Sequence, residues 1–111
     1  MATTRSVACA SRNRKCLEGG LKLLGDFWTL NIIDVLREEP LRFNEIQRHV
    51  EGINPATLAN RLKKLEQAHL IERQEETLDK LSVTYALTQR GISILPVIGE
   101  IQIFADKNLQ G

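Results

Sequence analysis

Apolar residues recur along this chain first with a helical period, then with a strand period, then with a helical period again. Leu17, Leu21 and Leu24 stand at i, i+4 and i+7, the spacing of one helix face. Gly19 and Gly20 weaken that helix by about 1 kcal/mol each relative to alanine, so tertiary packing must hold it. Gly25-Asp26 interrupts the pattern, and Asp26 is a good N-cap for the next element. That element, a helix over 27–38, puts Trp28, Ile32, Val35 and Leu36 on a single stripe and stops before Pro40. Two short helical patterns follow at 43–50 and 55–68, flanking the tight connection Glu51-Gly52-Ile53-Asn54. Asn54 can cap the second of them, and Pro55 suits its first position, where no N–H is required. Beyond Leu70 the period falls to two. Val83, Tyr85 and Leu87 alternate with Ser82, Thr84 and Ala86, which predicts a half-buried strand over 82–87 with a shorter, more charged partner at 71–75. Thr88 then reads as the N-cap of one last helix reaching about Asn108.

Two short helices joined by a tight turn, with a hairpin after them, predict a winged helix-turn-helix: mainly α with a small β-hairpin. The second helix of such a pair offers its outer face to the DNA major groove, and the hairpin lies beside the flanking backbone. On the 55–68 helix, Leu58, Leu62 and Leu65 form the apolar stripe. Thr57, Asn60, Arg61 and Lys64 form a second stripe roughly 110° around the helix from it. Arginine can bond a guanine edge in two places, asparagine an adenine edge, and threonine offers a methyl or a hydroxyl. These four residues are the candidate DNA contacts of the helix, together with Asn54 at its start.

Composition adds bounds. The chain has 111 residues, 42% hydrophobic and 26% charged, which suits one folded domain of 16–111 behind a mobile basic arm of 1–15. The net charge of +1 argues nothing for nucleic acid, but its distribution does. Arg61, Lys63 and Lys64 stand without an acid among residues 57–65, whereas Glu75, Glu76 and Asp79 make the tip of the hairpin acidic with only Lys80 to offset them. An acidic tip is repelled by phosphates, so strong wing contacts require Lys80 to face the DNA. No stretch is apolar enough for a membrane span or a secretory signal, and the expected setting is cytoplasmic. His49 and His69 lack metal-ligand spacing, no phosphate loop or nucleophile elbow occurs, and no cofactor or enzymatic activity is expected. Trp28 and Tyr85 read as core or interface aromatics.

The terminal helix carries Ile94, Ile98, Ile101 and Ala105 on one stripe, widened by Leu95, Val97, Ile103 and Phe104. That apolar surface exceeds what one small core needs, which points to a homodimer formed by the N- and C-terminal helices. Cys16 follows Arg12, Arg14 and Lys15 near the start of the first helix, where positive charge favours the thiolate and its reactivity. The alternative is a small apolar residue filling the dimer core. Cys9, in the arm, is at most a resolving thiol.

The run from Cys16 to Trp28, with Gly25-Asp26-Phe27-Trp28 at its end, resembles the N-terminal signature of the HxlR-type regulators. Leu41-Arg42-Phe43-Asn44-Glu45-Ile46 is similar to that family's Arg-Phe element, and residues 53–66 to its recognition helix. The segment Val83-Thr84-Tyr85-Ala86-Leu87-Thr88-Gln89-Arg90-Gly91 is similar to the second wing strand and the turn after it. The resemblance implies a homodimeric transcriptional regulator reading a two-fold symmetric double-stranded operator. The candidate DNA contacts are then Arg42, Asn54, Thr57, Asn60, Arg61, Lys64 and Lys80, and Cys16 is the candidate sensor of an oxidant or electrophile. Two alternatives stay open: regulation by a small ligand without redox chemistry, and a winged-helix module that binds protein.

Overall fold

The computed structural model describes residues 14–75 and 82–109. Residues 1–13 of the expected arm, with Cys9, and residues 76–81 of the wing tip, with Lys80, lie outside the described residues; Arg14 and Lys15, expected in the arm, instead open the first helix. In chain order the elements are α1 (Arg14–Leu24), α2 (Phe27–Val35), β1 (Leu41–Arg42), α3 (Phe43–His49), α4 (Pro55–Gln67), β2 (Ile71–Glu75), β3 (Val83–Leu87), α5 (Gln89–Ile92) and α6 (Leu95–Asn108).

Gly25 ends α1: its N–H donates to the Leu21 carbonyl, and a Cβ on it would lie 2.5 Å from that oxygen. Asp26 then caps α2, its Oδ2 accepting from the Thr29 N–H at 3.0 Å and the Thr29 hydroxyl at 2.8 Å. The helix α2 stops at Val35, earlier than its apolar pattern suggests. Leu36 stays buried, but Arg37 closes a three-residue turn onto the Asp34 carbonyl. The chain must turn there to enter β1, and Pro40 excludes helix from the residue before it.

α3 and α4 form the helix-turn-helix. Gly52 takes a positive φ of 87° between them, a conformation glycine adopts without strain. Ile53 is buried, Asn54 Oδ1 accepts from the Thr57 N–H at 2.8 Å, and Pro55 opens the helix as expected. At the other end His69 is left-handed (φ 63°). The Leu70 N–H donates to Leu65 O and the His69 N–H to Glu66 O, which satisfies the last carbonyls of α4.

The sheet has three antiparallel strands in the order β1-β3-β2. Its third strand is not foreseen in the sequence, because two residues are too short to show a period. Leu41 pairs with Tyr85 and Arg42 with Thr84, while β2 pairs with β3 from Ile71↔Leu87 to Glu75↔Val83.

The expected single terminal helix is broken in two. Thr88 caps α5 as predicted, its Oγ1 accepting from the Gly91 N–H at 3.1 Å. Pro96, however, lacks an N–H, and its ring would clash with the Ile92 carbonyl in a continuous helix. The chain therefore tightens at Ser93–Ile94 before α6 begins. The core joins Ile32 and Ile33 of α2, and Leu36 just after it, to Ile46, the three leucines of α4, Leu70, Ile71 and Ile98. Helix α1 buries no residue, and of α6 only Ile98 is buried.

Candidate nucleic-acid interface

The α4 helix is held from three sides. Its leucine stripe, Leu58, Leu62 and Leu65, is buried against the core. Its C-terminal end is gripped by α5, where Thr88 Oγ1 donates to His69 O at 2.7 Å and Arg90 donates to Ala68 O at 3.1 Å. Gly91 approaches so closely that a Cβ would lie 2.1 Å from Leu70 O. The third hold is electrostatic. The Arg61 guanidinium donates to Asp26 at 2.8 Å through Nε and at 3.3 Å through Nη2, and to Asn60 Oδ1 at 2.9 Å. The bond from Arg61 holds the Asp26 carboxyl down at about 2, while Asp26 raises the guanidinium pKa. One turn further on, Lys64 Nζ donates to the Lys22 carbonyl near the end of α1 at 3.2 Å.

These contacts change the picture of the reading face. Thr57, Asn60, Arg61 and Lys64 do share a flank, but it is the shoulder of the helix facing the α1–α2 junction. Thr57, Arg61 and Lys64 are half-buried there, and Arg61 and Lys64 spend donors on α1 and α2. The outward face, roughly opposite the leucines at 100° per residue, consists of Ala56, Ala59, Asn60, Lys63 and Gln67, all exposed. Lys63 is thus a candidate contact that sequence reasoning passed over. Locating the direction opposite the apolar stripe would have found it. Asn54 is exposed at the start of the helix, its side chain used as the cap.

Arg42 stands apart from α4. It is exposed at the start of α3, with Nη2 3.5 Å from Ser82 Oγ and its backbone N–H donating to Glu45 Oε1 at 2.8 Å. Cys16 is half-buried on α1 and disulfide-bonded. Among the described residues no cluster of three or more His, Cys, Asp or Glu is placed to hold a metal ion, and no helix is long and apolar enough to cross a membrane. Trp28 and Phe27 meet edge to face with ring centroids 4.9 Å apart. Trp28 and Tyr85 both pack on the core, as expected for core aromatics.

Comparison with known proteins places this geometry. The family model described as HxlR-like helix-turn-helix matches residues 23–111. The HTH-type transcriptional regulator YodB of Bacillus subtilis (strain 168) is 40% identical over 91 residues, covering 82% of this chain and 81% of that protein. The solved structure of YodB in its reduced form superposes with a TM-score of 0.73 at 39% identity, covering 82% of this chain and 89% of that one. Its quinone-bound form superposes with a TM-score of 0.72, covering 84% and 98%. A possible HxlR family transcriptional factor from Thermoplasma volcanium GSS1 gives a TM-score of 0.64 at 34% identity, over 79% of this chain and 82% of that one.

Proposed function

The chain belongs to the HxlR-like helix-turn-helix family of DNA-binding transcriptional regulators, and from that premise we propose that it reads its operator as a homodimer, with α4 in the major groove and Cys16 as an oxidant or electrophile sensor. The observation that carries the reading is the outward face of α4: exposed, free of acid from Ala56 to Lys63, and backed by three separate holds that fix its direction. Asn60 is the residue suited to a base edge, and Lys63 to a phosphate. The test is a gel shift with duplex from the DNA upstream of the chain's own coding sequence, at several salt concentrations. Asn60→Ala lowers the ratio of specific to nonspecific binding by roughly tenfold, the value of a good base contact, whereas Lys63→Ala weakens all duplexes alike. An unchanged ratio in Asn60→Ala removes the base-reading role.

The homodimer is supported by apolar surface that the protomer leaves open. Leu17 and Leu21 on α1 are 57% and 56% exposed, and Phe27 69%. Ile101, Ile103 and Phe104 on α6 are exposed too, beside a groove of about 280 Å³ between α2 and α6 lined by Phe27, Leu30 and Ile98. A patch of this kind on a soluble domain marks an association surface.

Cys16 sits on that same helix, so chemistry at its sulfur acts next to the assembly surface. Support for the sensor role comes from YodB, whose solved structures include quinone-bound and diamide-treated forms. At Cys16 a quinone would react by addition of the thiolate to its ring, and diamide by taking two electrons and two protons from a pair of thiols, which join as a disulfide. The expected result is that reduced wild type loses at least about fivefold in operator affinity after treatment, the lower end of ordinary allosteric coupling. Cys16→Ser does not respond. Unchanged affinity in wild type whose Cys16 is shown by mass spectrometry to be modified removes the sensor role.

A further inference from the structure

The acidic hairpin poses a problem for a DNA-binding domain, and the inner face of the wing suggests its solution. Register places Leu41, Tyr85 and Arg73 in one row across the three strands, so their side chains share a face of the sheet. Arg42 and Asn44 lie beside that row at the start of α3. Arg42, Phe43, Asn44, Arg73, Val83 and Tyr85 together line a notch of about 250 Å³. We propose that this notch binds one phosphate of the DNA backbone through Arg42 and Arg73, with Asn44 and Tyr85 as neutral partners, and that Glu75 competes with the DNA for Arg73. The assignment rests on the DNA-binding reading above and adds a site to it.

Two arginines lining one concave polar site, Arg42 with its Nη2 3.5 Å from Ser82 Oγ, suit a phosphate, whose oxygens accept paired N–H donors. Arg73 donates to Glu75 through Nη1, and Glu75 first and the neighbouring Tyr85 second raise its pKa. A guanidinium has five N–H donors, so these bonds leave others for an incoming oxygen. The Arg73–Glu75 pair is open to water, with side chains 43% and 49% exposed, and such pairs are weakly held. Glu45 is a second carboxylate beside Arg42, and its Oε1 accepts from the Arg42 backbone N–H. Among the described residues the notch is thus lined by two arginines, with the water-exposed carboxylate of Glu75 on Arg73 and that of Glu45 beside Arg42. In that arrangement the acids of the wing moderate a phosphate contact rather than prevent it.

The test is fluorescence anisotropy of the full chain with a labelled duplex of about three helical turns, between about 50 and 200 mM salt. Arg73→Gln and Arg42→Gln each weaken binding, and the slope of log affinity against log salt becomes shallower by roughly 0.9 for each phosphate no longer neutralised. Glu75→Gln binds about threefold more tightly at low salt, a gain that a poorly folded variant cannot produce. The double variant Arg73→Gln/Glu75→Gln shows no such gain, because Glu75 acts through Arg73. Unchanged slopes in both arginine variants overturn the notch while leaving the DNA-binding reading standing. So does a Glu75→Gln gain that persists without Arg73. A wild-type chain that binds no duplex at any salt overturns that reading, and the notch with it.

Discussion

Replacing Ile101 and Phe104 with glutamate is expected to yield a folded monomer that binds its operator at least about 100-fold more weakly than wild type. Both side chains are exposed in the protomer, so charges there disturb none of its core. In the proposed dimer they face the partner, and an unpaired carboxylate buried in an apolar interface is strongly unfavourable. Linking two recognition helices makes the second half-site contact intramolecular, and such linkage raises affinity by about 10²–10⁴ when the geometry permits both contacts. A monomer forfeits that factor. Sedimentation velocity at micromolar concentration checks the assembly, and circular dichroism checks the fold. A dimer that survives both substitutions, or a monomer with wild-type operator affinity, sinks the prediction.

The second large effect belongs to the pair Asp26–Arg61. Asp26→Ala removes the cap of α2 and the partner of Arg61 together, and is expected to cost about 2–4 kcal/mol. That corresponds to a loss of roughly 10 °C in Tm for a domain of this size. Asp26→Asn keeps an acceptor for the cap and removes only the charge, so it separates the two contributions. The pH dependence has a definite sign. With the Asp26 carboxyl lowered from its ordinary 3.8 to about 2, the stabilisation is present above pH 4 and fades as pH falls through 4 towards 2. Wild type is therefore more stable than Asp26→Asn at neutral pH, by about 2 kcal/mol, and the difference closes in acid. Arg61→Gln should lower DNA affinity by the same factor whether or not Asp26 is present as aspartate, if arginine reads a base. If it positions α4, the two substitutions together cost little more than either alone, because each breaks the same bond. The contacts favour the second outcome, and strict additivity would refute it.

The fold was largely legible where several local signals agreed. Around Asn54-Pro55 the cap, the proline and the leucine stripe all mark one helix start, and the alternation from Val83 to Leu87 is unbroken. It was less legible where one signal stood alone. The apolar run on either side of Pro96 hides a break that steric exclusion at Ile92 requires, and β1 exists only because β3 offers it an edge. At the site, Arg61 illustrates the limit of composition. A basic side chain on a recognition helix suggests DNA, yet its nearest anion is Asp26, 35 positions earlier, which only folding brings within 2.8 Å. Arg73 and Tyr85 likewise become neighbours through strand register, which spacing along the chain does not reveal.

The close approach at Gly91 has a mechanical consequence. Where a Cβ would stand 2.1 Å from Leu70 O, the α5 segment and the end of the recognition helix touch backbone to backbone, with no side chain between them to yield. Helix α6 continues from that bearing for 14 residues, a lever of about 20 Å at 1.5 Å per residue. A tilt of roughly 5° at such a pivot moves the far end of the lever by about 2 Å. In a dimer joined through α6, the distance between the two reading heads is then set by an angle at one glycine, and a chain that must match the pitch of DNA gains from a joint with no slack.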